Sequence, residues 1–156
     1  MKQEIERKFL VKVERLPPEA TRGGQRLVQG YLASGPTVRV RLVEGEGLED
    51  GWLTIKGPGK VSRAEYEYRI PAGDARELLE LSKARLSKIR RLVRIGAHTW
   101  EVDEFLGPLE GLWMAEIELE AVDEPFDQPA WLDREVSEDP RYSNASLARA
   151  GRSPEP

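Results

Sequence analysis

The chain has 156 residues, with 24 Lys and Arg against 28 Asp and Glu, a net charge of -4, one His and no Cys. That length predicts one domain with a core large enough to stand without staples, and the composition excludes disulfides, thiolate metal sites, a cysteine nucleophile and any cluster of histidine ligands. Carboxylates are then the only candidate metal ligands, which suits hard cations such as Mg²⁺, Mn²⁺ or Ca²⁺. The near balance of charge argues against a broad nucleic-acid patch, and no apolar run approaches a membrane span, so the expectation is a soluble, cytoplasmic protein.

In chain order, residues Gln3 to Val13 alternate as a strand, with Glu4, Glu6 and Lys8 on one face and Ile5 mostly opposing them. Carboxylates two residues apart, roughly 6 to 7 Å along a strand, repel unless a cation sits between or opposite them. Leu16, Pro17 and Pro18 stop the strand; a short helix is expected around Pro18 to Thr21, then a turn at Gly23 and Gly24. A second strand from Gln25 puts Gln29 and Tyr31 on one face, and Gly35 and Pro36 connect it to a third, Thr37 to Val43, whose Arg39 and Arg41 share a face. A Gly- and acid-rich loop, Glu44 to Gly51, leads into a fourth strand, Trp52 to Lys56.

The fifth strand, Arg63 to Ile70, sets Glu65, Glu67 and Arg69 opposite Tyr66, Tyr68 and Ile70. Asp74 is the expected cap of a helix from Ala75 to about Ala84. Lys88, Arg90 and Arg94 share a face of a sixth strand, Leu86 to Ile95. Glu101 and Asp103 do so on a seventh, Thr99 to Leu106, and Glu116, Glu118 and Glu120 on an eighth, Trp113 to Val122. Residues 125–156 read as Pro-rich loop with a short helix near Asn144 to Ala150 and a disordered tail over 151–156. The fold class predicted is mainly β, an eight-stranded antiparallel closed barrel with a few flanking helices, in a single domain over residues 1–150.

The polar faces are segregated by sign. Basic residues dominate the third, fourth and sixth strands, and acidic residues the first, fifth, seventh and eighth. Like charges along a strand need something to offset them. If the charged faces point inward, the basic walls would clamp a polyanion and the acidic wall would hold Mg²⁺ or Mn²⁺, a combination suited to phosphoryl transfer. Closure with the apolar faces inward would give an ordinary small barrel.

Eight segments in order, among them Glu4-x-Glu6-x-Lys8, Gln29-Gly30-Tyr31-Leu32, Arg39-x-Arg41, Thr54-Ile55-Lys56-Gly57, Glu65-x-Glu67 and Lys88-x-Arg90, resemble the CYTH proteins, or triphosphate tunnel metalloenzymes. Trp100-Glu101-Val102-Asp103 and Ala115-Glu116-Ile117-Glu118-Leu119 complete the set. The likeness is greatest to compact bacterial members that hydrolyse inorganic tripolyphosphate. It implies a triphosphate bound in the lumen with Mg²⁺ or Mn²⁺. Glu4, Glu6, Glu116 and Glu118 would be metal ligands with Asp103 near them, and Lys8, Arg39, Arg41, Lys56, Lys88 and Arg90 would be phosphate contacts. Lys8 and Tyr31 would be the catalytic pair, and Glu65 and Glu67 supports. Arg91 is expected to point outward and His98 to sit in a surface turn. The tail has no obvious lysine to close the tunnel, which leaves open whether the C-terminal helix caps it. The same tunnel also serves adenylate cyclases and thiamine or nucleoside triphosphatases, and a non-catalytic polyphosphate binder would use the same basic walls. A triphosphate-containing small molecule is the expected partner, with no nucleic acid or membrane, and a homodimer is left open.

Overall fold

A computed structural model describes residues 2–155. Nine antiparallel strands, Lys2–Val11 (β1), Gln25–Ser34 (β2), Thr37–Gly45 (β3), Leu48–Lys56 (β4), Ser62–Ile70 (β5), Ala84–Ile95 (β6), His98–Phe105 (β7), Trp113–Glu118 (β8) and Leu132–Glu135 (β9), are joined by two α-helices, Ala72–Leu81 (α1) and Asn144–Ala150 (α2). The sheet order is β5-β4-β3-β2-β6-β7-β8-β1-β9, and β5 pairs back onto β1, so β1 to β8 close into a barrel. β1 spans two neighbours: Lys2 to Ile5 pair with β5 and Glu6 to Leu10 with β8. Past the reach of β5, its end picks up β9.

The apolar side chains pack mostly outside this barrel. α1 lays Ala75 and Leu79 over Val28, Val40 and Leu42 on the outer faces of β2 and β3. Gly30 permits that approach, since a Cβ there would lie 2.6 Å from the Ser82 Cβ. Across the barrel, Phe9, Trp100, Ala115 and Ile117 pack beneath Trp131, with Phe9, Trp100 and Phe126 edge to face. A third cluster closes one end of the lumen, where Leu147 and Ala148 of α2 meet Tyr31, Leu86, Phe105 and Met114.

Several expectations need correction. The loop expected at Glu44 to Gly51 is strand: Gly45 pairs with Leu48 across a two-residue turn, with Glu46 and Gly47 both at positive φ as such hairpins require. α1 runs for ten residues from Ala72, directly after Pro71, so Asp74 lies inside the first turn and caps nothing. β1 ends at Val11 and β8 at Glu118. The C-terminal region contains β9 as well as α2. Among the described residues beyond Gly151 there is no regular structure, although the Glu155 carbonyl accepts from Arg141; Pro156 of the expected disordered tail lies outside the described residues. Among the described residues no helix is long and apolar enough to cross a membrane.

Candidate active site

Alternation along the strands of the barrel sends one set of side chains inward, and that set is mostly charged. The inward residues surround a cavity of about 360 Å³. Glu4, Glu6 and Lys8 enter it from β1, Tyr31 from β2, Arg39 and Arg41 from β3, and Lys56 from β4. Glu65 and Glu67 enter from β5, Lys88 and Arg90 from β6, and Glu116 and Glu118 from β8. Every site residue read from the sequence except Asp103 lines this one space.

The carboxylates are turned toward cations. Glu4 sits 3.0 Å from Lys56 and 3.5 Å from Arg63. Lys8 lies between Glu6 at 3.9 Å and Glu116 at 3.8 Å. Glu65 is 3.6 Å from Lys56, Glu67 reaches the Thr54 hydroxyl, and Glu118, half exposed at the rim, pairs with Lys2 at 2.7 Å. Burial alone would push the Glu116 carboxyl up, but Lys8, Arg90 and Lys88 outweigh it and hold it well below its ordinary range. Glu6 moves the other way, raised by burial and then by Glu116. Lys8 ends above its ordinary value because Glu116 and Glu6 overcome its desolvation. The Tyr31 phenol adds to that rise, with no hydrogen bond between Lys8 and Tyr31 among the described residues.

Asp103 takes a different place. It is 1% exposed, gripped at both oxygens by Arg90 at 2.8 and 2.9 Å, and it meets Lys88 at 2.7 Å. It stands behind two phosphate-clamp candidates rather than in the cavity. Burial depresses Lys88 to about 7, with Asp103 opposing and Arg90 adding to the fall.

Arg39 and Arg41 contrast with all of these. Among the described residues neither has a carboxylate partner. Arg39 donates to Thr54 at 3.2 Å and leaves a buried Nε unsatisfied, and Arg41 donates to Gln29 at 3.0 Å. Burial, Arg39 and Arg90 together depress Arg41 to about 9. Two adjacent guanidiniums facing a cavity without a counter-charge make an anion site.

The donor set also fits a hard divalent cation. Glu6 stands directly across from Glu118, and Glu101 across from Glu116, on neighbouring strands of the same wall. Like charges facing each other destabilise a sheet unless a cation offsets them, and every donor is oxygen. Among the described residues no three carboxylates converge into a ready ion cage, because each is drawn to an ammonium or guanidinium.

Several lining residues carried no assigned role in the sequence reading. Arg63 shares the parity of Glu65 and Glu67, and Glu101 that of Asp103, so strand parity could have found both. Ser143, Asn144 and Arg149 come from the C-terminal segment, where the tail supplies an arginine rather than a lysine to the cavity. Nothing local marks them, because their position depends on how α2 docks. Arg91 points away from the lumen but is buried, tying Gly23, Ala20 and Glu104 together; His98 opens β7 and contacts Glu124.

Residues 2–151 match the CYTH domain family. An inorganic triphosphatase of Acetivibrio thermocellus is 43% identical over 96% of this chain and 95% of its own length. One of Nitrosomonas europaea is 34% identical over 93% and 96%. A crystal structure of an inorganic triphosphatase superposes with a TM-score of 0.64 at 32% identity, covering 95% of each chain. The matched region includes every strand of the charged barrel, and the chain belongs to the CYTH domain family.

Proposed function

We propose that the chain hydrolyses inorganic triphosphate to phosphate and pyrophosphate inside the tunnel, with a divalent metal. The observation that carries this reading is the pair formed by the buried Arg39 and the half-buried Arg41 at the cavity wall, without a carboxylate partner among the described residues, opposite a wall of carboxylates that no anion binder would need. Support comes also from the inorganic triphosphatases that match nearly the whole chain.

Hydrolysis joins a water oxygen to a terminal phosphorus while the bridging P–O bond breaks, its electron pair leaving on pyrophosphate and the water protons passing to product and solvent. Little covalent chemistry falls to the protein, whose part is positioning and charge stabilisation. Arg39, Arg41, Lys56, Lys88 and Arg90 hold phosphate oxygens. Lys8, kept charged by Glu116 and Glu6, is a cation beside the reacting phosphate rather than a base. The Tyr31 hydroxyl accepts from Gln29 at 2.8 Å, which leaves its own proton free to donate to a phosphate oxygen. Glu4, Glu6, Glu116 and Glu118 would hold Mg²⁺ or Mn²⁺, which when bound polarises phosphate oxygens and neutralises charge. Glu65 orients Lys56, and Glu67 orients Thr54 beneath Arg39. Asp103, committed to Arg90 and Lys88, positions those two cations and is not a ligand.

The lining favours a substrate without an organic end. Tyr31 is the one aromatic residue on the described cavity wall, and the Trp52 ring, outside that lining, is covered by Arg69. Phosphate release from tripolyphosphate, ATP and thiamine triphosphate, with Mg²⁺, Mn²⁺ or chelator and with cyclic AMP assayed in the ATP reaction, tests the proposal. Metal-dependent release from tripolyphosphate far above the others is expected. Tight binding without turnover would make this a polyphosphate-binding module, and preference for ATP would overturn the substrate assignment.

A further inference from the structure

At the end of the lumen closed by α2, a hydrogen-bonded chain joins two cations of the clamp. Arg41 Nε donates to Gln29 Oε1 at 3.0 Å, and Gln29 Nε2 donates to the Tyr31 hydroxyl at 2.8 Å and to Asn144 Oδ1 at 3.2 Å. Lys88 Nζ donates to the same Asn144 oxygen at 2.8 Å. A guanidinium cannot accept, so Arg41 fixes the Gln29 oxygen toward itself and the amide nitrogen toward Tyr31 and Asn144. The Lys88 ammonium is likewise donor-only and fixes the Asn144 oxygen. Both amides are therefore set from the two ends of the chain.

Gln29 is fully buried and Asn144 is 9% exposed. Burying an amide is unfavourable unless its hydrogen bonds are made, and the neighbouring α2 residues Leu147 and Ala148 show that the same space suits apolar side chains. The placement of an amide here answers to the polar groups it meets. Gln29 belongs to the barrel wall, whereas Asn144 arrives from α2, 115 residues further along the chain. The contact between them is the seam between tunnel and C-terminal helix.

We propose that Asn144 is a positioning residue for the phosphate clamp. Its Oδ1 holds Lys88 directly, and holds Arg41 and Tyr31 through Gln29, so the clamp is complete only with α2 docked. This inference rests on the triphosphate hydrolysis proposed above.

Asn144→Leu keeps the size but removes the acceptor, and Asn144→Asp keeps it. With tripolyphosphate and Mn²⁺, Asn144→Leu is expected to lose roughly 10- to 100-fold in kcat, with KM changing far less, the scale of a clamp displaced by about an ångström. Asn144→Asp is expected to recover most of that loss, with melting temperatures of both variants near that of the parent. Unchanged kinetics in Asn144→Leu, or equal loss in both variants, would overturn the proposal, since acceptor chemistry would then be irrelevant. A readout without substrate separates this inference from the proposed reaction. The Lys88 ammonium, observed by ¹⁵N NMR at pH 6 and identified by its absence in Lys88→Arg, should exchange slowly in the parent and in Asn144→Asp and rapidly in Asn144→Leu. If the parent protein turns over no tripolyphosphate, the reaction is refuted, and that exchange contrast alone decides whether Asn144 holds Lys88.

Discussion

Replacing Arg41 by Met should make the substrate-free protein more stable while removing its response to triphosphate. The folded state holds this guanidinium down to about 9 through burial and the nearby charges of Arg39 and Arg90. A group of depressed basicity in the folded state binds protons less well there than in the unfolded chain, so at neutral pH the charged form is penalised, and the penalty fades only above about pH 9. At about 1.4 kcal/mol per tenfold change, the upper figure is on the order of 5 kcal/mol. Methionine fills a similar volume without charge, but it strips Gln29 Oε1 of its donor, which returns about 1–3 kcal/mol. The net gain of about 2–4 kcal/mol corresponds to a melting temperature raised by roughly 4–16 °C. Calorimetric melting at pH 7 in chelator, with and without tripolyphosphate, reads both effects: the parent should melt higher with the anion, and Arg41→Met higher without it and indifferent to its addition. A variant that melts lower than the parent and still gains from tripolyphosphate would show that Arg41 is compensated in the empty tunnel, and the anion-site argument would fail.

Glu116 is held well below its ordinary range, so its stabilising contribution is present above about pH 4.5 and is lost as pH falls. Urea midpoints measured from pH 6 to 3 should therefore drop steeply in the parent and more gently in Glu116→Gln. Asp103→Ala should destabilise by about 3–5 kcal/mol in chelator, because Lys88 and Arg90 would be left buried without their partner; a change seen only in metal affinity would restore Asp103 as a ligand. Gly30→Ala should cost about 1–3 kcal/mol by forcing Ser82 off β2, with Ser82→Gly in the same chain recovering most of it in urea unfolding.

Strand alternation made the barrel legible, because inward and outward side chains differ so sharply in charge that Glu4, Arg39, Lys88 and Glu116 could be assigned to one face from spacing alone. Parity tells which face a side chain takes but not which partner it meets. Whether Asp103 reaches the lumen or stays with Arg90 and Lys88 depends on pairing between β6 and β7, which spacing does not encode. The short β9 forms because β1 runs past β5 and leaves an edge to cover, a property of the closed barrel rather than of Leu132 to Glu135. Asn144 was invisible for the same kind of reason, since its role exists only once α2 sits against the end of the tunnel.

The one-residue spacing between lumen and outer core also acts on folding. A slip of β1 by a single position against β8 would carry Glu6 and Lys8 into the space of Phe9 and Trp100 and turn Ile5 and Phe9 toward Arg90 and Lys56. Such a mispaired chain would desolvate several charges at once and leave its aromatic residues in water. The charge pattern that serves phosphate chemistry thus rejects wrong registers as the barrel closes, so neutralising lumen residues one after another should progressively admit misregistered chains.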